Sequence, residues 1–137
     1  MNDSGGKRWF LTAILAGALY LGAGTISAAL TAAVNPGPLQ FLARVSAFGV
    51  SAVILALHVA YERLRLGSAT KRAAWHGAVG AALGGLALAL VANIHDLGSA
   101  TGYRPRMLIA LVAWPFITAV PAFVVALVVA AIVRKRI

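Results

Sequence analysis

The stretch Ala73 to His95, AAWHGAVGAALGGLALALVANIH, is apolar over enough length to cross a bilayer and carries a dense row of glycines and alanines. Gly77, Ala81, Gly85 and Ala89 recur every four residues, and Gly80 with Gly84 forms a neighbouring small-residue ridge. Hydrocarbon gives helices no hydrophobic reason to associate, so close backbone approach and interhelical hydrogen bonds must hold a bundle together. A helix with two adjacent ridges accepts neighbours over a wide arc. It is read as the span against which the others pack.

Three more apolar runs surround it: Trp9 to Val34, Leu39 to Tyr61, and Met107 to Val133. Asn35-Pro-Gly-Pro38 is a tight turn signal between the first two. Glu62 to Arg72 and Asp96 to Arg106 form the other connections. The first run imitates a secretory signal up to Ser27-Ala-Ala29, but its apolar part is longer than a signal core, so it is expected to stay as a span. The fold class expected is therefore all-α: a four-transmembrane-helix bundle forming one integral membrane domain over residues 1–137, with spans near 9–34, 39–61, 73–95 and 107–133.

Composition agrees. Of 137 residues, 61% are hydrophobic and 11% charged, with mean hydropathy +0.90, where a soluble domain has roughly a quarter charged. There is no cysteine, which removes disulfides, thiolate nucleophiles and thiolate-ligated metals. The net charge of +9 does not point to nucleic acid, because the cations sit at the ends of apolar segments and not on a soluble face. They suit the bilayer itself and anionic headgroups on the cytoplasmic side. Nine of the twelve Lys and Arg lie in the two tails and the Glu62 to Arg72 connection, against Arg44, Arg104 and Arg106 elsewhere. That asymmetry predicts both termini inside (N-in/C-in), in a bacterial-type inner membrane.

For packing, the first span offers Gly24 and Ala28, with Tyr20 and Ala32, to the ridges of the third. Contact between spans one and three is the first expectation; a homo-oligomer joined through the glycine-rich third helix stays open beside it. The fourth span is rich in branched residues and carries Pro115 and Pro121. Its branched residues suit lipid.

Polar residues within the spans are few. The hydroxyls are expected to bond carbonyls one turn back. Asp3, Glu62 and Asp96 are placed at or beyond helix ends, which argues against an antiporter built on a membrane-buried acid. No hydrolase, zinc-protease, P-loop or dinucleotide motif is present, so no enzyme is expected. His58 and His76 lie at equal sequence distance from the turn near Gly67, hence at similar depth. Each is expected to snorkel or bond a carbonyl; facing one another, they would be candidates for bis-histidine haem, a metal or a proton relay. No cofactor is otherwise expected. At the other end, Arg44 is level with Asn93, His95 and Asp96, and an Arg44–Asp96 pair is expected as a clamp or as a polar outer mouth. The functional expectation is a non-enzymatic accessory or assembly subunit packing on a larger membrane complex. A small-solute channel or transporter protomer and a haem-binding redox subunit are the alternatives.

Overall fold

The computed structural model describes residues 3–98 and 105–133, with side chains from residue 8 onward. These residues form four helices: α1 (Asp3–Ala33), α2 (Pro38–Leu64), α3 (Thr70–Leu97) and α4 (Met107–Ile132). Each is long and apolar enough to cross a membrane. At 1.5 Å per residue such helices measure about 40 Å, more than the roughly 30 Å of hydrocarbon. Their last turns therefore reach headgroup level in a bilayer of ordinary thickness.

The helix limits differ from the sequence expectation where it matters. α2 continues past Tyr61 to Leu64, and α3 begins at Thr70, ahead of Ala73. Glu62, Arg63 and Leu64 are good helix formers, so nothing stops the helix at the first charge. The turn comes at Gly67, whose φ of 65° is left-handed and open to glycine at no steric cost. It folds the chain back so that the Ser68 amide donates to the Glu62 carbonyl at 3.0 Å.

α3 is the centre of the bundle, with nearly half of its apolar window buried against less than a fifth for each of the other helices. Its two ridges face different partners. A Cβ on Gly80 would stand 3.3 Å from the Ala13 carbonyl oxygen, and one on Gly84 would stand 2.5 Å from Tyr20 Cβ, so this ridge lies backbone to backbone on α1. A Cβ on Gly85 would meet Thr118 Oγ1 at 2.5 Å, so the second ridge lies on α4 there, whereas one on Gly77 would stand 2.9 Å from Leu55 Cδ1 and 3.3 Å from Val59 Cγ2 of α2, with Ala126 Cβ of α4 at 3.5 Å. α4 presents Ala122, Ala126 and Ala130 to it, one per turn, all buried with Ala73, Ala74 and Ala81 of α3. Val124, Val125, Val128 and Ile132 point outward. The ridges of α3 are thus filled from within the chain.

α1 runs parallel to α3 and meets it through Ala13, Ala16, Gly17 and Tyr20, with Gly24 against Leu88. Ala28, expected in the same seam, is exposed. Beyond Gly24, α1 turns its polar contacts to α2: Ser27 Oγ donates to the Ala43 carbonyl at 3.2 Å, and Gln40 Nε2 to the Thr31 carbonyl at 3.3 Å. α2 in turn has no buried residue before Leu55. Its buried residues are Leu55, His58, Val59 and Glu62, one stripe at helical spacing turned into the bundle at the α2–α3 end.

Candidate functional site

That stripe carries the polar groups of the bundle's α2–α3 end. Glu62 has no exposed surface, which a glutamate almost never shows unless it is paired. Its Oε2 accepts from Ser68 Oγ at 2.6 Å and lies 3.1 Å from His76 Nδ1. The His76 approach does not have the geometry of an N–H hydrogen bond, so it is a close polar contact and not a second directed hydrogen bond. His58, one turn below Glu62 on the same face, is also buried and within electrostatic reach of both Glu62 and His76. Glu62 Oε1 and His58 Nε2 are sealed without hydrogen-bond partners among the described residues.

Neighbouring elements hold these groups in place. Trp9 of α1 stacks on the His76 ring, centroids 4.3 Å apart and planes 10° from parallel. An indole face favours a cation above it, so the imidazolium is accommodated as well as the neutral ring. Arg63, in the last turn of α2, donates from Nη1 to the Ser68 carbonyl at 2.8 Å and from Nε to the Val133 carbonyl at 3.3 Å. It ties the α2–α3 turn and the end of α4 to one guanidinium, which also complements the carbonyl end of its own helix. All four helices therefore converge here, each with at least one named group.

Chemically, this is a place to keep a proton. A carboxylate beside an imidazole can hold the proton on either partner, and the open Oε1 and the unpaired His58 nitrogen are a further acceptor and a further donor or acceptor within a turn. His58, His76 and Glu62 are also the residues here with metal-ligating side chains. Among the described residues, no three such groups converge as a metal would require.

Spacing places His58 and His76 at this end and Glu62 at or beyond the end of its span, in the Glu62 to Arg72 connection. The structure corrects that: Glu62 is in α2 and is the most deeply sealed polar side chain of the site. The pattern Leu55-x-x-His-Val59-x-x-Glu62 carries the signal, because apolar and ionisable residues share one helical stripe.

At the opposite end, the expected outer group does not assemble. Asn93 is buried and donates through Nδ2 to the carbonyls of Ala89 at 2.8 Å and Met107 at 2.9 Å, joining the end of α3 to the start of α4. Asp96 is buried and has interactions of its own, and His95 is exposed. Arg44 is exposed and forms no ion pair or hydrogen bond among the described residues, so the Arg44–Asp96 clamp is not formed. Equal depth fixed their height but not their direction: the first half of α2 leans on α1, away from α3. Arg106 is exposed at the start of α4, and Arg104 lies outside the described residues, as do Arg134 to Ile137.

Compared with protein-family models, characterised proteins and solved structures, the chain matches none.

Proposed function

We propose that this chain is a small, non-enzymatic multi-pass membrane protein that serves as an accessory subunit, with Glu62, His76 and His58 as a proton-binding centre that sets the shape of its α2–α3 end. The observation that carries the reading is the fully sealed Glu62 beside His76 in a bundle of membrane-length helices. An ionisable group is costly to bury there, and such groups mark proton or ion sites more often than they mark packing. The groups at this site are His58 and Arg63 from α2, Ser68 in the turn and His76 from α3, with the Trp9 ring of α1 on His76; Arg8, Lys71 and Arg72 are exposed. On α4 the facing group is the Val133 carbonyl.

The accessory reading is supported by the interior. Backbone contact along Gly80, Gly84 and Gly85 fills the middle of the bundle, and the polar groups are gathered at its ends. A protonation change at the α2–α3 end is then felt through Arg63 by the turn and by the end of α4, the surface that a partner can read. With the basic flanks inside, this end faces the cytoplasm of a bacterial-type inner membrane.

The test is infrared difference spectroscopy of the detergent-purified protein across a pH step. A carboxyl band is expected in the wild type and absent in Glu62→Gln, with a changed pattern of co-purifying proteins in the variant. A pH-independent carboxyl spectrum in the wild type defeats the proton-binding reading. Vesicles that leak a solute through wild-type protein but not through Asn93→Ala would favour the channel alternative.

A further inference from the structure

α2 and α3 leave the turn at Gly67 as antiparallel helices, so their side chains lean opposite ways, each toward the N-terminus of its own helix. Glu62 starts about 3 Å from the end of α2 and leans away from the turn, whereas His76 starts about 9 Å into α3 and leans toward it. The opposite lean closes the difference in height and brings Oε2 to 3.1 Å from Nδ1. His58 also starts about 9 Å from the end of α2, but it leans away from the turn. From the turn into the apolar layer the order is therefore His76, Glu62, His58.

Access follows the same order. None of the Glu62 side chain is exposed, whereas 10% of the His76 side chain is. Nδ1 of His76 is sealed beside the carboxylate, so the exposed part lies elsewhere on the ring. His58 keeps little exposed surface, and that surface lies at hydrocarbon depth, where water does not reach it. Ser68 is the other polar neighbour of Oε2 and is half-buried in the turn. A hydroxyl titrates too far from neutral pH to hold a proton in transit, whereas an imidazole titrates close to it. Among the described residues the other elements bring the Trp9 ring from α1, Arg63 from α2 and the Val133 carbonyl after α4, while Arg8, Lys71 and Arg72 are exposed and α4 carries no ionisable side chain.

We infer that His76 is the port through which Glu62 takes up and returns its proton, an inference that rests on the proton-binding reading above. The neutral ring accepts a proton at Nε2 and passes the one on Nδ1 to Glu62 Oε2, which leaves a neutral ring protonated at Nε2 and a neutral carboxyl. Release is the reverse. A small turn of the ring brings Nδ1–H into line with Oε2, and the stack on Trp9 accommodates the imidazolium that forms in between. The centre then exchanges protons with the α2–α3 end alone, as a sensor does and a conducting path does not.

The experiment is a light-triggered pH jump on the full chain in nanodiscs, with the Glu62 carboxyl band followed by time-resolved infrared spectroscopy and identified by its loss in E62Q. In H76Q the band is expected to grow roughly 100-fold more slowly than in the wild type, the loss of one positioned proton-transfer group. Free imidazole in the buffer is expected to restore much of that rate. S68A, which removes the other polar neighbour of Oε2, is expected to slow the band by less than about tenfold, below the range of a lost relay. A band as fast in H76Q as in the wild type, a slowing that imidazole does not relieve, or a band slower in S68A than in H76Q each overturns the port and leaves the proton-binding reading standing. A wild type without a pH-dependent carboxyl band overturns both. If H76Q does not fold, W9L and S68A decide. W9L uncovers the His76 ring and is expected to quicken the band, so a W9L that does not quicken it, or an S68A slowed by more than about tenfold, overturns the port.

Discussion

Glu62 Oε2 lies 3.1 Å from His76 Nδ1, which joins the last turn of α2 to the second turn of α3 by a polar contact shielded from solvent. Burying ionisable side chains is expensive, and the contact offsets that cost only while both partners are present. Ser68 and Trp9 add a hydrogen bond to one partner and a ring face to the other. Loss of either ionisable side chain therefore costs more than the contact itself is worth, because the survivor is left sealed and unmatched.

Glu62→Ala and His76→Ala are each expected to lower the unfolding free energy by about 3–5 kcal/mol. The double variant is expected to lose clearly less than both added together, as contacting residues couple. Circular dichroism of reversible unfolding in mixed micelles reads this. Additive losses would mean that the two side chains act separately, contrary to the contact.

Much of the fold is readable from composition and spacing. Four apolar runs separated by turn signals give four helices, and the paired ridges of Ala73 to His95 identify the central one, since only small residues let backbones touch. What spacing cannot give is the direction in which each helix turns. Gly80 and Gly84 face α1, Gly85 faces α4, and Gly77 sits where α2 and α4 both approach, a division that the three-dimensional register decides. Ala28 and Arg44 fail for the same reason, both being on the half of the α1–α2 pair that leaves α3. Glu62 is hidden for a different reason: a first charge reads as the end of an apolar run, although the helix and its buried stripe continue through it.

The ridges make a sharp mutational contrast. Gly84→Ala drives a methyl to 2.5 Å from Tyr20 Cβ, and Gly85→Ala drives one to 2.5 Å from Thr118 Oγ1 with the Trp114 carbonyl at 3.1 Å behind it. Each is expected to cost about 1–3 kcal/mol through separation of α3 from its neighbour. Gly22 and Gly49 have nothing within 4 Å of an added Cβ, so their alanine variants should unfold as the wild type does or slightly later. If all four variants behave alike, the ridges do not carry the packing.

The Asn93 end separates a structural polar residue from a free one. Asn93→Ala leaves the Met107 carbonyl without its 2.9 Å donor where α3 hands over to α4, and is expected to cost about 1–3 kcal/mol. Arg44→Ala removes a side chain that touches no described partner, so in detergent free of anionic lipid it should stay within about 0.5 kcal/mol of the wild type. This reverses the expectation from sequence, in which Arg44 clamps α2 to Asp96 and its loss destabilises the fold. The two variants measured side by side decide between the arrangements: a clamp makes both fall together, whereas a free Arg44 leaves only Asn93→Ala impaired.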